Sequence, residues 1–191
     1  MTVDLHGMAI AFLVSNEGIE EAELRRPWDE LASQGATVTL VAPEEGEVQL
    51  MHHLDRTDRV PVDLTVDEAR VDDFDGLVLP GGVANADLLR TDDNAVGFVQ
   101  EMFHRGRPAG VICHAPWVLV EGGLVEDRTL TSWPSLETDI RNAGGSWVDE
   151  EVQVCTSGPN VLVTSRKPDD LDAFCSRLAE IMGAYADQTI G

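Results

Sequence analysis

A thiol and an imidazole stand side by side at residues 113 and 114, inside the stretch GVICHAPW. Deprotonated cysteine is a strong nucleophile, and histidine is the base that most often takes such a proton. Gly110, Val111 and Ile112 precede the pair as an apolar run, and APWVLVEGG follows it with the pattern of a helix. A nucleophile on a strand–turn–helix junction is held above a sheet on a strained backbone. The helix start behind it favours the thiolate, so Cys113 is expected to be the activated nucleophile. Neighbours on a turn tend to point apart, so adjacency leaves open whether His114 acts through its ring or only through its backbone amide.

Two more stretches carry chemistry. In LPGGVANAD (79–87), Gly81 and Gly82 let the backbone approach a ligand, and their N–H groups suit a developing oxyanion. In SNEGIEEAEL (15–24), Glu17, Glu20, Glu21 and Glu23 crowd a helix start, where the helix dipole stabilises acids. One of them, partly buried beside a thiol, would have its pKa raised and could donate a hydrogen bond to the thiolate. The other cysteines, Cys155 and Cys175, complete an odd set without a CxxC pair, as expected of free thiols in a reducing compartment. His52 and His53 lack metal-ligand spacing, and neither a metal nor a cofactor is expected.

The elements that must position these residues show in the periodicity. MAIAFLV (8–14), ATVTLVA (36–42), GLVLP (76–80), AGVIC (109–113) and NVLVT (160–164) are short apolar runs, typical of strands buried on both faces of a parallel sheet. Helical patterns lie between them. Leu24, Trp28 and Leu31 mark one over 20–34, with Pro27 expected to kink it or to lie near its first turn. Val96, Val99 and Phe103 mark a second, and Leu171, Phe174, Leu178, Ile181 and Tyr185 a third that starts at Pro168. Residues 43–73 are irregular and are expected to form a loop or small hairpin. The alternation, with no linker, predicts one three-layer α/β domain over 1–191 with a mainly parallel sheet. In such sheets active groups gather at the carboxyl ends of strands, where the three stretches above converge.

Charge excludes other classes. Thirty-five acids against thirteen lysines and arginines give −22, which repels nucleic-acid backbones and anionic lipid. No apolar run reaches the roughly 18 residues of a membrane span, and MTVDLHG does not open as a signal peptide, so a cytoplasmic protein is expected. Such an acidic surface fits a halophile or a high-GC mesophile.

SNEGIEEAELRRPWDEL, LVLPGG, VICHAPW, LTSWPSLETDIRNAGGSWVDEEV and VTSRKPDDL, in this order along nearly the whole chain, resemble the DJ-1/PfpI family and its PfpI-like intracellular proteases and stress proteins. The resemblance implies a flavodoxin-like sandwich that assembles as a homodimer or higher homo-oligomer. By position it makes Cys113 the nucleophile, Glu20 the acid in contact with it and His114 the catalytic histidine. Gly82, beside Gly81, and the His114 amide fall at the oxyanion site. An acid from a neighbouring subunit orients the histidine in this family; Asp87 takes that place here instead of a glutamate, in a loop one residue longer. The implied activity is cysteine-dependent hydrolysis of a peptide bond or of a glycated, α-oxoaldehyde adduct in stress response. The alternative is a redox-sensing or chaperone-like protein using the same thiol. Class I glutamine amidotransferases share the elbow but need a histidine far downstream, and no histidine follows His114.

Overall fold

Residues 3–189 are described by a computed structural model. The chain opens with β1 (Ala9–Leu13), β2 (Glu17–Glu20), α1 (Glu21–Ser33) and β3 (Thr37–Ala42). A hairpin of β4 (Glu47–His52) and β5 (Asp55–Pro61) follows, then β6 (Leu64–Thr65), β7 (Gly76–Leu79), α2 (Val83–Leu89) and α3 (Asp93–His104). The second half holds β8 (Ala109–Ile112), α4 (Pro116–Glu121), β9 (Thr129–Leu130), α5 (Glu137–Asn142) and β10 (Ser146–Trp147). It ends with β11 (Val152–Cys155), β12 (Leu162–Ser165) and α6 (Leu171–Thr189).

Seven strands form the central sheet in the order β11-β12-β8-β7-β1-β3-β6. All pairings within it are parallel except that of β11 with β12. The five apolar runs read from the sequence are β1, β3, β7, β8 and β12. β1, β7, β8 and β12 are nearly or wholly buried because helices cover both faces of the sheet. α1 and α6 pack one face around Phe12, Phe174 and Leu178; α3, α4 and α5 cover the other around Phe103, Val111 and Ile140. Each such fully buried large side chain contributes about 1.5–3 kcal/mol of hydrophobic stabilisation.

Local chemistry sets several boundaries. Asp92 caps α3 by accepting the Ala95 N–H at 2.8 Å. Pro27 lies inside α1, not in its first turn, where it removes one helix hydrogen bond from the buried face. The irregular 43–73 stretch is the β4–β5 hairpin plus β6, and part of SNEGIEEAEL is a strand: β2 pairs with β4 as the start of a small second sheet. Pro168 belongs to a 3-10 turn that leads into α6. No helix among the described residues is long and apolar enough to cross a membrane.

Candidate active site

Three loops meet at the carboxyl ends of β1, β7 and β8. Asn85 ties two of them together from a buried position. Its Oδ1 accepts the Ser15 N–H at 2.7 Å, and its Nδ2 donates to the carbonyls of Pro80 and Gly81 at 2.9 and 3.0 Å. Gly81 and Gly82 are required there. A side chain at Gly81 would put its Cβ 2.5 Å from the Cβ of Cys113 and against the Glu23 carboxyl. Gly82 has a φ of +99° and packs on the Gly18 carbonyl.

Cys113 is a positive-φ residue, at +63°, directly after β8. A non-glycine side chain in that region costs about 1–2 kcal/mol. Two hydrogen bonds hold it: its N–H donates to Ser165 at 3.0 Å, and its carbonyl accepts from Trp133 at 2.8 Å. Strain held by such bonds is what the strand–nucleophile–helix reading requires. The neighbour does not point away. His114 Nδ1 lies 3.2 Å from Cys113 Sγ, so the ring itself reaches the sulfur.

The acid at the thiol is Glu23, which corrects the assignment to Glu20. Glu23 is fully buried on the inner face of α1, and its carboxyl and the Cys113 side chain lie together against Gly81. Glu20, at the end of β2, turns instead to the hairpin, where its Oε2 accepts the His53 N–H at 3.0 Å. Glu23, Leu24, Pro27 and Leu31 are the buried residues of α1, so one acid sits in an apolar stripe. That misplaced charge was the signal in the sequence, hidden among three other glutamates.

Burial raises the Glu23 carboxyl to about 8, with the neighbouring Glu20 charge adding to it. At neutral pH Glu23 therefore keeps its proton. Its Oε2 accepts the Gly81 N–H at 2.9 Å, while Oε1 is buried without a hydrogen-bond partner. Gly81 is thus committed to Glu23, which corrects its expected role as an oxyanion donor. The amides left for negative charge are those of Gly82 and His114, which both favour the Cys113 thiolate.

Burial is also the largest influence on Cys113 and pushes its thiol up; these two amides pull the other way. With the residue only 6% exposed, the thiolate expected from the helix start is outweighed in the resting protein. Burial likewise holds His114 down at about 4, so its imidazole is neutral and can accept a proton. Its ring lies between two indoles: Trp133 stacks on it at 5.5 Å and 22°, and Trp117 lies at 5.4 Å. Neither tryptophan was singled out as a site residue in the sequence, although both flank its motifs.

Asp87 is exposed on α2 and pairs with Arg90 of its own chain at 3.0 Å. The Arg90 guanidinium sits 5.0 Å over the Trp117 ring, so Asp87 connects to His114 only through two intermediates.

Residues 8–181 match the DJ-1/PfpI family. The chain belongs to that family. It is 37% identical to a deglycase from Pyrococcus horikoshii over 175 residues, covering 92% of this chain and 99% of the relative. A Bacillus subtilis protein provisionally named a cysteine protease is 34% identical, with 86% and 92% of the two chains covered. Among solved structures, Drosophila melanogaster DJ-1beta superposes with a TM-score of 0.80 at 26% identity, covering 96% of this chain and 97% of that one. The flavodoxin-like sandwich expected of a DJ-1/PfpI protein is the fold of this chain.

Proposed function

We propose that this DJ-1/PfpI protein is a cysteine-dependent hydrolase acting on small carbonyl adducts, a deglycase in kind. One observation carries the reading: the Cys113 sulfur has a proton acceptor 3.2 Å away in His114, the amides of Gly82 and His114 favour its anion, and the buried Glu23 carboxyl lies beside it. Moving the thiol proton to His114 leaves a thiolate that those donors stabilise. The sulfur then adds to a carbonyl carbon, and the oxygen takes up negative charge beside the two amides. Glu23, neutral at pH 7, can protonate that oxygen; His114 returns the thiol proton to the amine or thiol of the adduct as it leaves, and water then breaks the remaining carbon–sulfur bond to restore Cys113.

The near-complete burial of Cys113 supports a short electrophile, such as an α-oxoaldehyde adduct, over an extended peptide. The free cysteines support a reducing, cytoplasmic setting. A homo-oligomer is part of the proposal: Val83, Asp87 and Leu88 are exposed on the short helix beside the site, where a second copy could meet them. Methylglyoxal-modified N-acetylcysteine and a fluorogenic peptide, each incubated with the protein and with Cys113→Ala, test the reading. Release of free N-acetylcysteine by the wild type alone is expected. Equal release by the variant overturns the mechanism, and peptide cleavage without adduct turnover moves the substrate class. The sensor reading rests on the same donors, which would also hold a sulfinate on Cys113; it requires stoichiometric oxidation with neither turnover.

A further inference from the structure

Trp133 supports the reacting pair in two ways. Its N–H donates to the Cys113 carbonyl at 2.8 Å, which helps to hold the positive-φ elbow. Its indole stacks on His114 at 5.5 Å and 22°. Yet Trp133 belongs to no strand or helix, and it is 38% exposed. Loop residues move more than the elements they join, so a side chain that sets an imidazole against a sulfur needs a brace. Proton transfer between Cys113 Sγ and His114 Nδ1, 3.2 Å apart, fails with small displacements of either.

Ser132, the residue before it, carries that brace. It is fully buried, and its hydroxyl stands midway in a hydrogen-bonded line. Oγ accepts the Trp147 indole N–H at 2.9 Å and donates to the Trp133 carbonyl at 2.9 Å. A hydroxyl that accepts and donates at once strengthens both bonds. Trp147 is the fixed end of the line: it lies in β10, beside Leu130 of β9, and packs on the core layer of Phe103 and Ile140. The other indole at His114, Trp117, is tied by its Nε1 to Asp139 at 2.8 Å on the exposed surface, where water competes for the bond. The interior anchor is on the Trp133 side.

We propose that Ser132 is a positioning residue for the Cys113–His114 pair, acting through Trp133 and held in place by Trp147. The hydroxyl fixes the Trp133 peptide, which sets the Cys113 carbonyl on one side and the indole over the imidazole on the other. Without the hydroxyl the Trp133 carbonyl loses a donor and the Trp147 N–H loses an acceptor. The loop is then free to settle by other bonds, the indole slides off His114, and water reaches the ring. What the pair is used for rests on the hydrolase reading above; how it is held does not, and can be measured without turnover.

Ser132→Ala and Trp147→Phe test the line, read by NMR titration of His114. Burial holds that imidazole at about 4, so hydration is expected to raise it towards 6.5, by at least about one pKa unit in Ser132→Ala. Trp147→Phe keeps an aromatic ring and removes the N–H, so a smaller rise is expected. In the double variant the rise should not exceed that of Ser132→Ala alone, because the bond that Trp147→Phe deletes is already lost. Turnover of the methylglyoxal adduct should fall about tenfold in kcat in Ser132→Ala, with KM within about twofold, as expected of a displaced base beside an intact binding surface. An unmoved His114 pKa in a folded Ser132→Ala overturns the assignment, and so do shifts that add in the double variant. Should Ser132→Ala fail to fold, Trp147→Phe decides alone, and an unmoved His114 overturns the brace. A wild type that turns over no adduct, with the His114 shifts present, would remove the hydrolase reading and leave Ser132 in its role.

Discussion

Glu23→Gln is expected to stabilise the protein by an amount that grows with pH. The Glu23 carboxyl moves from an ordinary 4.5 to about 8 on folding, because burial penalises its charged form. Between those values the unfolded chain has lost this proton while the folded chain still holds it. The folded state therefore binds more protons, and stability falls as pH rises through the window. The gap, at 1.36 kcal/mol per pKa unit, comes to about 5 kcal/mol as an upper limit, reduced because the neighbouring Cys113 thiol titrates with it. Glutamine does not ionise and keeps a donor for the sulfur. The advantage of Glu23→Gln over wild type is thus expected to rise from near zero at pH 4.5 to roughly 2–4 kcal/mol at pH 8.5.

Urea unfolding of both proteins at five pH values across this range gives the difference curve. A flat difference would refute the buried neutral acid, whatever its absolute size. Thiol chemistry supplies a second measurement on the same proteins. Glu23→Leu removes the donor and is expected to slow alkylation of Cys113 about tenfold, with Glu23→Gln closer to wild type. Glu20→Gln, whose side chain faces His53, is expected to leave that rate within about twofold. If Glu20→Leu slows the thiol as much as Glu23→Leu, the assignment of the acid reverses.

Trp133→Leu uncovers His114, whose pKa, seen by NMR, is expected to climb from about 4 towards its ordinary 6.5; an unmoved value would show that Trp133 does not control its burial. The acid limb of the pH–rate profile should move the same way. Gly81→Ala drives a methyl into Cys113 and Glu23, so activity should fall at least tenfold with about 1–3 kcal/mol of destabilisation, and a fully active variant would contradict the packing. Melting temperature should rise between 10 mM and 2 M KCl, because a Debye length of about 30 Å at 0.01 M leaves the repulsion of −22 unscreened; a flat or falling trend would remove the halophile reading.

Burial on both faces made the parallel strands legible, since β1, β7, β8 and β12 had to be continuous apolar runs. β2 was not legible: Glu17, Gly18 and Glu20 have little strand character, and the segment is a strand because β4 lies beside it. Cys113 could be read from local pattern, as the elbow is a sequence-local device. Its acid could not be chosen with the same certainty, because Glu20 and Glu23 differ by less than one helical turn. Which one enters the core depends on where α1 begins, and it begins at Glu21, after a strand that the sequence hid. The thiol's ionisation was misjudged for a related reason. Helix position favours the anion, but burial by Gly81 and Glu23 comes from a loop and a helix distant in sequence, and burial dominates.

The proton inventory explains how so acidic a chain can run a nucleophilic site. At pH 7 Glu23 is a neutral acid and His114 a neutral base, and burial favours the neutral thiol between them. The three groups at the reaction centre are therefore neutral within a protein of −22, so an incoming carbonyl meets dipoles at the sulfur. The protonated Glu23 carboxyl lies beside the sulfur, which can donate to His114 Nδ1. One proton shift along that line creates thiolate and imidazolium together, an ion pair with no net charge to bury. A lone thiolate would have to be desolvated at full cost, whereas this pair forms only when an electrophile is present to consume the sulfur's charge. It follows that alkylation of Cys113 should stay slow at pH 7 for reagents that cannot use the His114 proton, and should accelerate for carbonyl electrophiles whose oxygen can accept it. Equal rates for the two reagent types, after correction for their intrinsic reactivity with free cysteine, would mean that the thiolate exists before the substrate arrives.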